Sequence, residues 1–149
     1  MGEPFVTLEG YACLFHVVDL GREEVLPGAF AGSLLRRPAE KVRMLLEHDP
    51  RAVVGTWTEM REDDKGLFVR GHLAPGQRRL ARALWEHRPF GLSIGFKTQQ
   101  ERRDRPGVRL LTQVDLWEVS FTSTPMQPGA GIQDILIDHA PRRTEAVHG

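Results

Sequence analysis

The sequence predicts a mainly β, single-domain protein of the α+β class, and three observations carry that expectation. Its 149 residues suit one domain, long enough to bury roughly two thirds of the surface that the unfolded chain exposes. Short apolar runs separated by turn chemistry dominate the chain, the pattern of many strands and few helices. Only Pro75 to His87 has the length and periodicity of a long amphipathic helix.

The elements follow in order. Phe5 to Phe15 reads as a strand, and Val25-Leu26 as a short extended piece. Pro27-Gly28 breaks the chain, after which Ala29 to Leu35 suits a short helix ending before Pro38. Val42, Met44, Leu46 and His48 alternate with Arg43, Leu45 and Glu47, a strand that stops at the turn signal Asp49-Pro50. Val53 to Arg61 and Gly66 to Leu73 are extended runs joined by the hairpin signal Glu62 to Gly66. In the long helix Leu80, Ala83, Leu84 and His87 share one face, arginines and Glu86 occupy the rest, and Pro89 ends it.

Phe90 to Gln99 alternates as a strand, with Leu92, Ile94 and Phe96 on one face and Ser93, Gly95 and Lys97 on the other. A charged hairpin, Glu101 to Gly107, leads into Val108 to Thr122. There the apolar positions change phase, from Leu110, Val114 and Leu116 to Trp117, Val119 and Phe121, which predicts a bulge or sharp twist between Leu116 and Trp117. Thr124 to Ile132 reads as a loop and Ile135 to Ile137 as a last short strand. From His139 onward the chain reads as a disordered tail, so the expected domain is 1–138 and the tail 139–149.

Twenty Lys and Arg balance twenty Asp and Glu, so the chain lacks the net field that gathers nucleic acid or anionic membrane non-specifically. Arg78, Arg79, Arg82 and Arg88 are balanced by acidic residues elsewhere, and they read as a solvated helix face. No apolar run has the length of a membrane span, and no signal-peptide core is apparent. One cysteine, Cys13, excludes an intrachain disulfide and points to a reducing compartment. The expectation is a soluble, cytoplasmic protein with no membrane and no specific nucleic-acid partner.

Gly91-Leu92-Ser93-Ile94-Gly95 matches the G-x-S-x-G nucleophile elbow, but an elbow needs a helix directly after the serine. Ile94 to Thr98 has neither helical periodicity nor helix-forming composition, so Ser93 is expected within a strand, beside a glycine that leaves room for a backbone or ligand. None of the six histidines pairs with another ligand type at a zinc-site spacing, so neither a metal nor a cofactor is expected. His48 follows an apolar strand and precedes a turn, where its imidazole is partly buried. Glu118 sits in an apolar strand, which favours either a solvent-facing edge or a partner such as an imidazolium. Ser93, His48 and Glu118 would supply a nucleophile, a general base and a group to orient that base. Their separation in sequence does not establish that they meet.

Five stretches in order resemble the prohead (capsid-maturation) proteases of tailed phages and related gene-transfer particles. They are Gly10 to Phe15, Val25 to Leu34, Leu45 to Pro50, Gly91 to Phe96 and Leu116 to Ala130. The resemblance implies a serine endopeptidase with a fold similar to the herpesvirus assemblin proteases, a β-barrel flanked by a few helices. It implies His48 as general base, Ser93 as nucleophile and Glu118 as third member, a role open also to Asp49 or another histidine. Backbone N–H groups near Ile94 or in the Arg102–Arg105 hairpin are candidates for an oxyanion hole. The implied substrates are scaffold and the scaffold-like segment of the major capsid protein, with self-cleavage, inside the immature capsid in the host cytoplasm. A non-catalytic head or scaffold-binding protein on the same fold is the alternative, and a homodimer is left open. The Pro125-Met126-Gln127-Pro128 stretch departs from the family, which more usually has asparagine before the second proline.

Overall fold

Alternating apolar side chains give each strand one face to bury, and the strands satisfy this by closing on themselves. The computed structural model describes residues 4–139. Its strands are β1 (Pro4–Leu14), β2 (Glu23–Val25), β3 (Arg43–Leu46), β4 (Asp49–Glu62), β5 (Gly66–Leu73), β6 (Phe90–Arg105), β7 (Val108–Phe121) and β8 (Gly131–His139). The helices are α1 (Ala31–Arg36) and α2 (Arg78–Glu86), with a short 3-10 turn at Ala39–Lys41. The sheet runs β2-β7-β3-β4-β5-β1-β8-β6, and β6 returns to pair with β7. Seven strands therefore form a closed barrel, as the resemblance implied, and β2 lies outside it along the first residues of β7.

The barrel interior is filled by Leu8, Trp57, Leu67, Leu92, Leu116, Phe121 and Ile132, each 1% exposed or less. Trp57 stacks near Phe121 and donates its indole N–H to the Val119 carbonyl at 3.3 Å, which satisfies the polar atom of a fully buried side chain. The expected bulge is present: Gly95 pairs with Glu118 and Phe96 with Leu116, leaving Trp117 as the extra residue. Trp117 is consequently turned out, 50% exposed under the Arg37 guanidinium, and is not a core residue.

Three expectations need correction. The break before β4 falls at Glu47-His48, not Asp49-Pro50, because both of these residues adopt positive φ (52° and 60°) and Asp49 is already paired with Leu46. His87 is exposed: α2 ends at Glu86, and the non-helical backbone of His87 takes it off the buried stripe of Leu80 and Leu84. The last strand is longer than expected and includes His139, since its backbone pairs with β1 from Pro4 to Tyr11. The rest of the expected tail, 140–149, lies outside the described residues.

Gln127 gives the family departure a structural role. Buried at 6% exposure, it accepts from the Leu14 N–H at 2.7 Å and donates to the Leu14 carbonyl at 3.0 Å, completing the ladder where β1 runs out of partners. Gln127→Ala leaves both backbone groups without that partner, so urea denaturation should give a loss of about 1–3 kcal/mol. An unchanged midpoint would mean that water replaces the amide without cost.

Candidate active site

β7 is flanked by β3 on one side and β6 on the other, and its register with both brings the polar residues together. Ser93 lies opposite Ser120 and Gly95 opposite Glu118 in the antiparallel β6–β7 pair. Arg43 to Leu46 runs parallel to Glu118 to Phe121, so the β3–β4 turn leaves the sheet beside the same stretch of β7. Cross-strand partners share a face. Ser93, Glu118 and Ser120 therefore point to one side of the sheet, while Leu92, Val119 and Phe121 fill the core on the other.

His48, on the turn, places Nδ1 2.8 Å from Glu118 Oε2. The Ser120 hydroxyl donates to Glu118 Oε1 at 2.5 Å and accepts the His48 backbone N–H at 3.1 Å. The Glu118 side chain is only 14% exposed, and a carboxylate at that depth is stable only with such partners. A carboxylate on Nδ1 favours the tautomer protonated there and leaves Nε2 as the free ring nitrogen. The imidazole itself is 42% exposed. Ser93, 6% exposed, neighbours Ser120, whose hydroxyl touches both of the others. The three residues singled out from the sequence thus occupy one face of adjacent elements, with His48 and Glu118 in direct contact. The strand continues past Ser93 to Arg105, so the elbow geometry is absent from this stretch.

Other candidates for the third position are engaged elsewhere. Asp49 accepts from the backbone and side chain of Arg51, His72 lies against Phe5, and His16 faces Glu24. The Arg102–Arg105 hairpin is not an oxyanion site for Ser93. It lies nine or more residues along β6, about 30 Å at ~3.3 Å per residue, and Arg105 there pairs with Glu24. Among the described residues no group of three or more His, Cys, Asp or Glu side chains converges as a metal site requires, and no helix is long and apolar enough to cross a membrane.

Sequence reading missed two residues of this site, Ser120 and Glu47, and misread its glycines. Ser120 carried a signal, being a polar residue two positions from Glu118 and so on its face. Gly95 was read as space for a ligand, but a Cβ built there would run into the Glu118 carboxylate, so the space is already filled. Gly91 is similarly packed under Thr122 and Pro125. Glu47 gave no signal. Its backbone N–H bonds the Phe121 carbonyl at 2.8 Å, and its carboxylate accepts from Thr122 Oγ1 (2.7 Å), the Ser123 N–H (3.1 Å) and Ser123 Oγ (3.2 Å). These bonds tie the turn that carries His48 to the end of the strand that carries Glu118. Thr122, first, and Ser123 hold the Glu47 carboxyl below its ordinary value of 4.5, against the opposing effect of burial.

The profile of the family described as caudovirus prohead serine protease matches residues 2–144. The chain belongs to that family. It is 35% identical over 130 residues to the prohead protease of Enterobacteria phage HK97, covering 83% of this chain and 57% of that one, so it spans little more than half the relative's length. Among solved structures, the capsid assembly protease of bacteriophage T4 is similar in fold (TM-score 0.64, 14% identity, 80% of this chain and 82% of that one). The protease of the herpesvirus KSHV, solved with a hexapeptide phosphonate inhibitor, is also similar (TM-score 0.58, 16% identity, 93% of this chain and 66% of that one). The barrel is thus the herpesvirus-protease fold.

Two outcomes test the site's construction. Gly95→Ala should displace the Glu118 carboxylate and cost about 1–3 kcal/mol by overpacking, measured by chemical denaturation; an unaltered protein would mean that the carboxylate has somewhere else to go. Because Glu47 titrates lower folded than unfolded, its contribution is present above about pH 4.5 and lost as pH falls through the folded value. Melting temperatures between roughly pH 5 and pH 3 should therefore fall more steeply for wild type than for Glu47→Gln, and parallel curves would remove Glu47 from the acid response.

Proposed function

We propose that this protein is a serine endopeptidase that cleaves scaffold, or the scaffold-like segment of the major capsid protein, during phage-type head maturation, and that it also cleaves itself. It acts inside the immature capsid in the host cytoplasm, with protein substrates and no cofactor. The observation that carries this reading is the 2.8 Å His48 Nδ1–Glu118 contact beside the strand that bears Ser93, in a chain of the prohead protease family.

In this reading, His48 Nε2 takes the proton from Ser93 Oγ as the oxygen attacks the scissile carbonyl. The tetrahedral intermediate collapses as the imidazolium returns that proton to the leaving amine, which gives an acyl-enzyme. Water then enters by the same route, activated by His48, and releases the acid and Ser93. Glu118 stays ionised throughout, holds the Nδ1–H tautomer and stabilises the imidazolium. Ser120 fixes the Glu118 carboxylate from its other oxygen and anchors the His48 backbone. Family membership and the T4 neighbour's description as a capsid assembly protease support the substrate class.

Co-expression with a major capsid protein that carries its scaffold-like segment, followed by intact-mass measurement, tests the reading. Wild type should yield truncated capsid protein and a defined cleavage site. Ser93→Ala and His48→Ala should yield only full-length protein, and Glu118→Gln should slow processing by about 10²–10⁴. Processing that persists in a folded Ser93→Ala variant would exclude Ser93 as the nucleophile.

A further inference from the structure

The barrel wall has an opening next to Ser93. β8 pairs with β6 only at Phe90 and Gly91, so beyond that point β6 faces the end of β1 across a gap. The gap holds a cavity of about 170 Å³, and Ser93 is one of its lining residues. Val25, Leu92, Ile94, Phe96 and Met126 give it apolar walls. Asp19 and Glu23 bring two carboxylates to it.

The two carboxylates differ in how they are neutralised. Glu23 is bonded to Arg109 at 2.5 Å, but that guanidinium is shared with Glu101 at 2.8 Å. Asp19 has no ion pair among the described residues. Its Oδ1 accepts the N–H groups of Gly21 (2.8 Å) and Glu23 (2.9 Å), which fixes the carboxylate in place without cancelling its charge. Its field reaches into the cavity: Asp19 contributes to raising both the Glu23 carboxyl and the buried Cys13 thiol, the latter pushed up to about 12 mainly by burial. An apolar slot with an uncompensated, immobilised anion suits a side chain with a long aliphatic stem and a cationic tip. The stem covers the apolar walls, and the tip meets Asp19. An acidic side chain would be repelled, and a neutral one would desolvate Asp19 without replacing its water.

We infer that this cavity is the specificity pocket for the residue that supplies the attacked carbonyl, and that it selects lysine or arginine through Asp19. The inference rests on the proposed role of Ser93, and it names the substrate feature that the site reads.

Two measurements on the full chain separate the inference from the reading beneath it. The first digests a peptide library and identifies new C-termini by mass spectrometry. Lys and Arg should be preferred at the new C-terminus over norleucine by about 10-fold or more, the size of one well-placed charge contact, and the ratio should fall to about 2-fold or less in Asp19→Asn. Asparagine keeps the side-chain oxygen that caps the turn, so this variant removes charge and little else. Cleavage that is abolished by Ser93→Ala but shows no basic preference would overturn the pocket and leave the protease reading standing. The second needs no catalysis. N-acetyl-lysinamide, titrated into Ser93→Ala protein, should shift the amide NMR signals of Asp19, Val25 and Ile94, with N-acetyl-norleucinamide about 10-fold weaker. Asp19→Asn, introduced in the same background, should erase that difference. If wild type cleaves nothing in the library, the protease reading fails, and the titration still decides the pocket. Equal binding of the two probes, or shifts confined to other parts of the barrel, would overturn it.

Discussion

β7 lies between β6 and β3, and its register with both is the constraint on which the rest of the site depends. Slipping either pairing by one residue would send Ser93 or Glu118 into the core and a leucine or valine out of it. That outcome is costly because Leu92, Val119 and Phe121 fill the barrel completely from the other face. Packing of apolar side chains on the inner face thereby holds the polar arrangement on the outer one. The bulge at Trp117 lies between the two functional parts of β7. Beyond it, β6 and β7 continue as an arm carrying the Arg109, Glu101 and Glu23 ion pairs.

The turn bearing His48 is the least comfortable part of the backbone. A two-residue hairpin with positive φ at both central positions normally takes Asn-Gly or Gly-Gly. Here Glu47 and His48 occupy those positions, each at a cost of about 1 kcal/mol or more for an L-residue in the left-handed region. Such a conformation persists only where neighbours over-determine it. Glu47 supplies that restraint through its bonds to Phe121, Thr122 and Ser123, and Ser120 adds the bond to the His48 N–H. The chain gives up local backbone stability to hold an imidazole against Glu118. A glycine in place of either residue would relieve the strain and lose the side chain that the turn exists to present.

Closure of the barrel is unequal around its circumference. β6 is paired with β7 along most of its length, yet on its other edge it meets β8 at two positions only. Full closure would bury the strand edge next to Ser93. Partial closure leaves a gap there, and the segments crossing it bring Asp19 and Glu23 to an otherwise apolar slot.

Much of this was legible in the sequence. Period-two alternation located β3, β6 and β7, because burial of one face of a sheet imposes that pattern whatever the partners are. The phase change at Leu116-Trp117 located the bulge, since an inserted residue must reverse the alternation. The residue types at 48, 93 and 118, read with the family motifs, pointed to the three residues of the candidate site, two of which the structure brings into direct contact. Tertiary structure decided the rest. Strand register is a long-range property, so the contact of His48 with Glu118 could not be read from their separation in the chain. For the same reason Gly95 looked like room for a ligand until Glu118 was found filling it. The left-handed turn at Glu47-His48 has no local signature, because neither residue favours that conformation; only the bonds across to β7 hold them there.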